Sequence, residues 1–177
     1  RLSDLGAYLR RYIRDIPDYP TKGVVFRDLT PLFKDAAAFR SAIDGLSERF
    51  RGLKIDAVVG VEARGFIVGA PVALALGTGF VPIRKPGKLP WRKRSTSYKL
   101  EYGVESMEIH EDAISSGQRV LLVDDLLATG GTARAAAKLI EEMGGTVLGM
   151  GFIVELAYLR GRDVLRDYRV ESLVRIE

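Results

Sequence analysis

An apolar run, Val120-Leu121-Leu122-Val123, leads directly into two carboxylates, Asp124 and Asp125, and then into Leu126-Leu127-Ala128-Thr129-Gly130-Gly131-Thr132. Each part suits one piece of a sugar phosphate. A short loop rich in Gly and Thr, set in front of a helix, presents backbone N–H groups to an anion. Gly130 and Gly131 let the backbone approach a phosphate without a Cβ in the way. Thr129 and Thr132 add hydroxyl donors. The aspartates cannot bind phosphate, because like charges repel. They suit the hydroxyls of a sugar diol, as acceptors, or a metal that bridges to one. A plain strand–turn–helix, with aspartate for the turn and threonine as N-cap, accounts for a bare Gly-Gly pair but not for the whole string. The phosphate loop of P-loop NTPases needs Gly-Lys-Ser/Thr, and no Lys stands between Gly131 and Thr132. Gly149-Met150-Gly151 lies inside a strand pattern and lacks the third glycine of a dinucleotide fingerprint.

The elements that must position this string are readable from periodicity. A first helix is expected over residues 3–14, with Leu5, Leu9, Tyr12 and Ile13 at helical spacing, ended by Pro17 and Pro20. An irregular stretch follows. Pro31 or Asp35 opens a second helix, with Phe39, Ile43, Leu46 and Phe50 on one face. Then strands and helices alternate: strand 55–61, helix 65–76 stopped by Gly77, strand 80–83, strand 120–123, helix 132–143 closed by Gly144-Gly145, and strand 147–154. Ala133, Ala136, Ala137, Ile140 and Met143 form the inward face of the 132–143 helix. This alternation predicts an α/β fold: a parallel, twisted sheet with helices on both faces. Ligands in such folds bind at the carboxyl ends of the strands. That singles out Glu62-Ala63-Arg64-Gly65, Arg84-Lys85, residues 124–132 and Glu155-Leu156.

Residues 84–103 have no helical period and carry Arg84, Lys85, Lys88, Arg92, Lys93, Arg94 and Lys99. Residues 97–102 can pair with 105–110 as a hairpin across Gly103. Long basic insertions at strand ends are commonly lids, and a solvated surface hairpin is the plainer alternative.

The composition excludes several chemistries. The chain has 177 residues and no cysteine, so disulfides, thiolate metal sites and a Cys nucleophile are ruled out. Its single histidine, His110, leaves no paired-histidine zinc site, and His110 is read as structural. No apolar run is long enough to span a bilayer. The first residues, Arg1-Leu2-Ser3-Asp4, are not those of a signal peptide and lack an initiator Met, so the sequence looks trimmed. A cytoplasmic location is expected. The net charge of +4 is mild and fits anionic small molecules at least as well as nucleic acid. The length fits a single domain, residues 1–177.

The string from Val120 to Thr132 resembles the phosphoribosyl-pyrophosphate (PRPP) motif of the type I phosphoribosyltransferases. The run Ile16-Pro17-Asp18-Tyr19-Pro20-Thr21-Lys22-Gly23-Val24-Val25-Phe26-Arg27-Asp28-Leu29-Thr30-Pro31-Leu32 is similar to the N-terminal signature of the adenine phosphoribosyltransferases within that family. So are Val61-Glu62-Ala63-Arg64-Gly65-Phe66, Ile83-Arg84-Lys85-Pro86-Gly87-Lys88-Leu89-Pro90 and Tyr98-Lys99-Leu100-Glu101-Tyr102-Gly103. The similarity covers nearly the whole chain in order. Residues 91–97 match no motif.

The resemblance implies the type I fold with a small N-terminal hood, about residues 1–34, and a flexible β-hairpin lid, about 84–110. It implies a purine-salvage reaction: adenine and PRPP give AMP and pyrophosphate, with Mg²⁺, through an oxocarbenium-like transition state. Asp124 and Asp125 would bind the ribose, and Ala128, Thr129, Gly130, Gly131 and Thr132 the 5-phosphate. Arg64, Lys88, Arg84 and Lys85 would hold the pyrophosphate, in cis or across a homodimer. Arg64 and Lys88 count as catalytic with Glu101, the acid–base residue under the closed lid, where Tyr102 seals the site. Backbone groups of Val25 and Arg27 would bind the adenine edge. Phe26 and Leu156 would lie against its two faces, although a lone Phe beside two valines is ordinarily core. Mg²⁺ would be held mainly by the substrate, with no protein ligand. Neither nucleic acid nor a membrane is expected as a partner. A PRPP-sensing regulator would need a nucleic-acid-binding element, and the transferase pattern leaves no room for one. A 6-oxo purine in place of adenine is set aside by the resemblance alone.

Overall fold

The apolar runs form the parallel sheet that the alternation predicts. The computed structural model describes residues 2–100 and 103–177. After α1 (Leu2–Arg10), a two-stranded antiparallel pair joins β1 (Arg14–Ile16) to β2 (Phe26–Asp28). Next come α2 (Thr30–Lys34), α3 (Ala36–Phe50), β3 (Ala57–Val61), α4 (Arg64–Ala75) and β4 (Gly79–Ile83). The hairpin β5 (Lys93–Leu100) and β6 (Gly103–His110) precedes β7 (Arg119–Leu127), α5 (Gly131–Glu142) and β8 (Thr146–Leu156). A 3-10 turn (Ala157–Leu159), α6 (Gly161–Val164) and β9 (Val170–Ile176) follow.

The central sheet has the order β4-β3-β7-β8-β9, and every pairing in it is parallel. From β3 the chain goes outward to β4 and then returns to the other side of β3 as β7. The order reverses between β3 and β7, and a crevice opens there at the carboxyl ends of the strands. Both sheet faces are covered, which is why the strands read as unbroken apolar runs. Val58, Leu121, Val123 and Ile153 point to one face, against Leu9, Leu46, Phe50, Val68 and Val72. Val59, Val120, Leu122 and Phe152 point to the other, against Ala136, Leu139 and Ile140 of α5 and Met107 and Ile109 of β6. The switch of face between Val58 and Val59, and between Leu121 and Leu122, is the two-residue period of a strand.

Several boundaries differ from the sequence reading. The first helix stops at Arg10, not residue 14, because Arg14–Ile16 gives its backbone to Phe26–Asp28. Pro31 and Asp35 each serve a helix: Pro31 sits in the first turn of α2, and the Asp35 carboxylate caps α3 by accepting from the Ala38 N–H at 2.9 Å. Strand β7 runs through Asp124 and Asp125 to Leu127, and β8 through Glu155 and Leu156. Their mutual pairing carries on past Val123, with Asp124 opposite Phe152 and Leu127 opposite Glu155. The hairpin is longer than expected. It starts at Lys93 opposite His110, and Gly103 is paired with Leu100. Strand β9 was not among the four strands read from the sequence. The Gly149-Met150-Gly151 segment has a packing role: a Cβ on Gly149 would lie 2.6 Å from the Phe50 ring, and one on Gly151 3.0 Å from it.

Candidate active site

A cleft of about 480 Å³ lies over the β3–β7 boundary. Glu62, Arg64 and Lys85 line one side. Asp124, Asp125, Ala128, Thr129, Gly130 and Thr132 line the other. The two sides also meet directly, where the start of α4 packs against β7.

Asp125 is buried, and its Oδ2 accepts from Arg64 Nε at 2.9 Å. Its backbone N–H donates to Asp124 Oδ1 at 2.8 Å. Gly65 at the start of α4 makes room for Asp124, since a Cβ there would lie 3.1 Å from Asp124 Oδ1. Burial, and then the adjacent Asp125 carboxylate, push the Asp124 carboxyl well above the usual carboxylate range. The consequence for folding has a definite sign. Below the ordinary aspartate pKa both states hold the proton. As pH rises past it the unfolded chain ionises first, so stability is lost up to the folded-state pKa. Asp124→Asn is therefore expected to raise the unfolding temperature at pH 7 by about 2–4 °C while lowering turnover. A calorimetric scan beside an initial-rate assay checks both, and an unchanged or lower unfolding temperature would refute this account.

The loop after β7 is shaped by glycine. Gly130 has φ 89° and stands immediately before α5, with no side chain capping the helix. The first N–H groups of α5 are thus left for a ligand, at the positive end of the helix dipole. A Cβ on Gly130 would lie 2.9 Å from the Gly161 carbonyl oxygen, and one on Gly161 2.6 Å from the Ala128 oxygen. Helix α6 therefore buttresses the loop from below. Gly130→Ala is expected to cost about 1–3 kcal/mol in denaturant unfolding and to raise KM for a phosphate-bearing substrate.

A second cavity adjoins the first and shares Arg64, Leu126 and Ala128 with it. Val25, Phe26, Arg27, Leu156 and Tyr158 line it. The Phe26 ring packs edge-on to Tyr19 at 5.1 Å between centroids, and Arg64 Cζ stands 5.8 Å from the Phe26 centroid. Arg27 is anchored to Asp15 of β1, Nη1 to Oδ1 at 2.8 Å. A mainly apolar slot thus opens directly beside a polar cleft, with Arg64 at the junction.

The structure brings together most of the residues named from the sequence. Arg64, Lys85, Asp124, Asp125, Ala128, Thr129, Gly130 and Thr132 line the cleft, and Gly131 is the first residue of α5. Val25, Phe26, Arg27 and Leu156 line the slot. Two residues stand apart from the cleft lining. Arg84 Nε is held by Glu62 Oε1 at 3.1 Å, and Lys88 is exposed. Glu101 and Tyr102 lie outside the described residues. Tyr158 was missed, although it lies two residues past the end of β8, where the strand-end rule points. Tyr98 was missed as well: its hydroxyl is 3.5 Å from Thr132 Oγ1 and donates to Glu105 Oε2 at 3.0 Å.

Among the described residues no three His, Asp or Glu side chains cluster as a metal site. Asp125 is already paired with Arg64. This donor set fits a hard cation carried on substrate oxygens and water.

The family model described as "Phosphoribosyl transferase domain" matches residues 32–175. The adenine phosphoribosyltransferase of Alkaliphilus metalliredigens is 60% identical over 163 residues, 92% of this chain and 96% of that one. That of Thermobifida fusca is 53% identical over 174 residues, 98% of this chain and 99% of that one. Among solved structures, the adenine phosphoribosyltransferase of Thermoanaerobacter pseudethanolicus superposes with TM-score 0.93 at 50% identity, covering 99% of this chain and all of that one. The Saccharomyces cerevisiae enzyme, solved with adenine and an imino-altritol bisphosphate, superposes with TM-score 0.91 at 40% identity, covering 97% of this chain and 99% of that one.

Proposed function

The chain belongs to the adenine phosphoribosyltransferases of the type I family, and we propose that its two adjoining cavities divide the substrates between them. The reaction is that of purine salvage: adenine and PRPP give AMP and pyrophosphate. One observation carries the proposed division. A polar cleft with a carboxylate pair and an uncapped helix N-terminus opens into an apolar slot at Arg64.

PRPP lies in the cleft. Its 5-phosphate sits on Ala128, Thr129, Gly130, Gly131 and Thr132 at the N-terminus of α5. Asp124 and Asp125 accept from the ribose hydroxyls. Pyrophosphate extends toward Arg64 and Lys85. Lys88, which is exposed, fits a role across a homodimer, and Arg84, held by Glu62, adds its charge at the edge of the pyrophosphate end of the cleft. The slot takes adenine, with its edge on the Val25 and Arg27 backbone and its faces toward Phe26 and Leu156. The bond from the anomeric carbon to pyrophosphate breaks and the bond to the purine nitrogen forms, with positive charge developing on the ribose. Arg64 offsets the charge growing on the leaving group. Glu101 takes the proton released from the purine, and Tyr102 seals the site. When bound, Mg²⁺ would offset the negative charge of the pyrophosphate group of PRPP.

The exposed apolar side chains Ile67 and Leu74 on α4, beside the edge strand β4, support a homodimer. A single domain over residues 1–177 agrees with one sheet shared by all the covering helices. The absence of cysteine fits a reducing cytoplasm. Among the described residues no helix is long and apolar enough to cross a membrane.

A spectrophotometric assay with Mg²⁺ and PRPP, offering adenine, hypoxanthine, guanine and xanthine in turn, tests the reading. Turnover is expected with adenine alone. Turnover with a 6-oxo purine would overturn the assignment of the slot. Tight PRPP binding without turnover of any base would turn the protein into a PRPP sensor.

A further inference from the structure

Glu62 is an acid in a cleft that has to accept a highly anionic leaving group. It lines the same side as Arg64 and Lys85, and the proposed chemistry gives it no task. Its contacts explain it. Oε1 accepts from Arg84 Nε at 3.1 Å and from the Lys85 backbone N–H at 2.7 Å. The Glu62 N–H itself donates to the Ile83 carbonyl at 3.0 Å, which ties the end of β3 to β4 just before the basic loop. At the other end of that loop, buried Glu108 accepts from the Gly87 N–H at 2.8 Å and from Ser95 Oγ at 2.9 Å. Arg84 and Glu108 also exchange both backbone hydrogen bonds, at 2.9 and 2.8 Å.

The turn Arg84-Lys85-Pro86-Gly87 is thus fastened by a carboxylate at each end. Without such fastening a run of cations loses rotamer and backbone freedom only when its ligand arrives, and that ordering costs affinity. We propose that Glu62 is a positioning residue for pyrophosphate: it binds no substrate atom, and instead fixes the Arg84–Lys85 turn so that Lys85 meets the pyrophosphate in the cleft. Its negative charge beside an anion site is offset by Arg84. Burial opposes ionisation of Glu62, but the Lys85 N–H and Arg84 together hold its carboxyl below the ordinary glutamate value. The inference rests on the reading that pyrophosphate lies at the Arg64–Lys85 end of the cleft.

Steady-state kinetics in both directions test it, with Glu62→Ala, Glu62→Gln and Lys85→Ala compared with the parent enzyme. Glu62→Ala is expected to raise KM for PRPP, and for pyrophosphate in the reverse reaction, by about tenfold. KM for adenine and for AMP should stay as they were. Glu62→Gln, near-isosteric and still able to accept from the Lys85 N–H, should lose less, and it carries the test if the alanine variant folds poorly. A parental pyrophosphate KM in the Glu62 variants, with a raised one in Lys85→Ala, would overturn the role of Glu62 alone. Parental values in all three would overturn the pyrophosphate placement and the inference with it. Equal rises in all four KM values would show general damage and also overturn it.

Discussion

Arg64→Ala is expected to lower kcat/KM for PRPP by about 10²- to 10³-fold, with most of the loss in kcat. Arg64 stands where the two cavities meet, half-exposed, with its Nε 2.9 Å from Asp125 Oδ2. Its remaining guanidinium donors are available for an anion arriving from the cleft side. With pyrophosphate placed as proposed, charge moves onto it as its bond to the anomeric carbon breaks, so the interaction would strengthen in the transition state and belong to kcat. The alanine variant also leaves the buried Asp125 carboxylate without its cation. Because Arg64 is half in solvent, the cost in stability is expected to be modest, and denaturant unfolding run beside the kinetics separates the two effects. Arg64→Lys keeps the charge but loses the planar fork, and should fall between alanine and the parent. A loss under fivefold for the alanine variant would take Arg64 out of the transition state.

Glu101→Gln should lower kcat by about 10²- to 10⁴-fold while KM for PRPP stays close to the parental value. The purine must give up a proton as it is glycosylated, and glutamine cannot take it. In the proposed arrangement PRPP affinity rests elsewhere, on the carboxylate pair and the α5 loop. The hairpin that leads to Glu101 is fixed to that loop: β5 runs along α5, and the Tyr98 hydroxyl lies 3.5 Å from Thr132 Oγ1. A plot of log kcat against pH should lose its acidic limb in the glutamine variant. A variant that turns over near the parental rate, with that limb intact, would move the proton transfer to another group.

The parts of this site that are local in sequence were legible in it. Asp124, Asp125 and the Gly-Thr loop follow one another along the chain, and their chemistry depends on spacing that any reader of residues can see. Periodicity exposed the strands of the core, because Val58/Val59 and Leu121/Leu122 serve opposite faces of a sheet buried on both sides. Features made by distant partners were hidden. Strand β7 runs on through two aspartates because β8 pairs with it there, a tertiary effect that overrides the poor strand propensity of Asp. Arg14–Ile16 leaves the helical pattern because β2 offers its backbone groups a partner. The buttressing of Gly130 by Gly161, and the tethering of the basic turn by Glu62 and Glu108, join residues whose types carry no local signal for each other.

The reversal of strand order between β3 and β7 also bears on how the chain folds. Ala57 pairs with Val120, so this joint closes a loop of about sixty residues that includes α4, β4 and the hairpin. Closing a loop of that length is entropically costly and comes late relative to local pairing. A ligand that grips Arg64 on one side of the joint and the α5 loop on the other is a non-covalent cross-link across that seam. At a hundred times its Kd it adds about 2.7 kcal/mol to the whole domain. Binding energy that acts only once the seam is closed is expected to appear mainly as slower unfolding, with the refolding rate unchanged. Substrate supply would then set the lifetime of the folded enzyme as well as its rate of turnover.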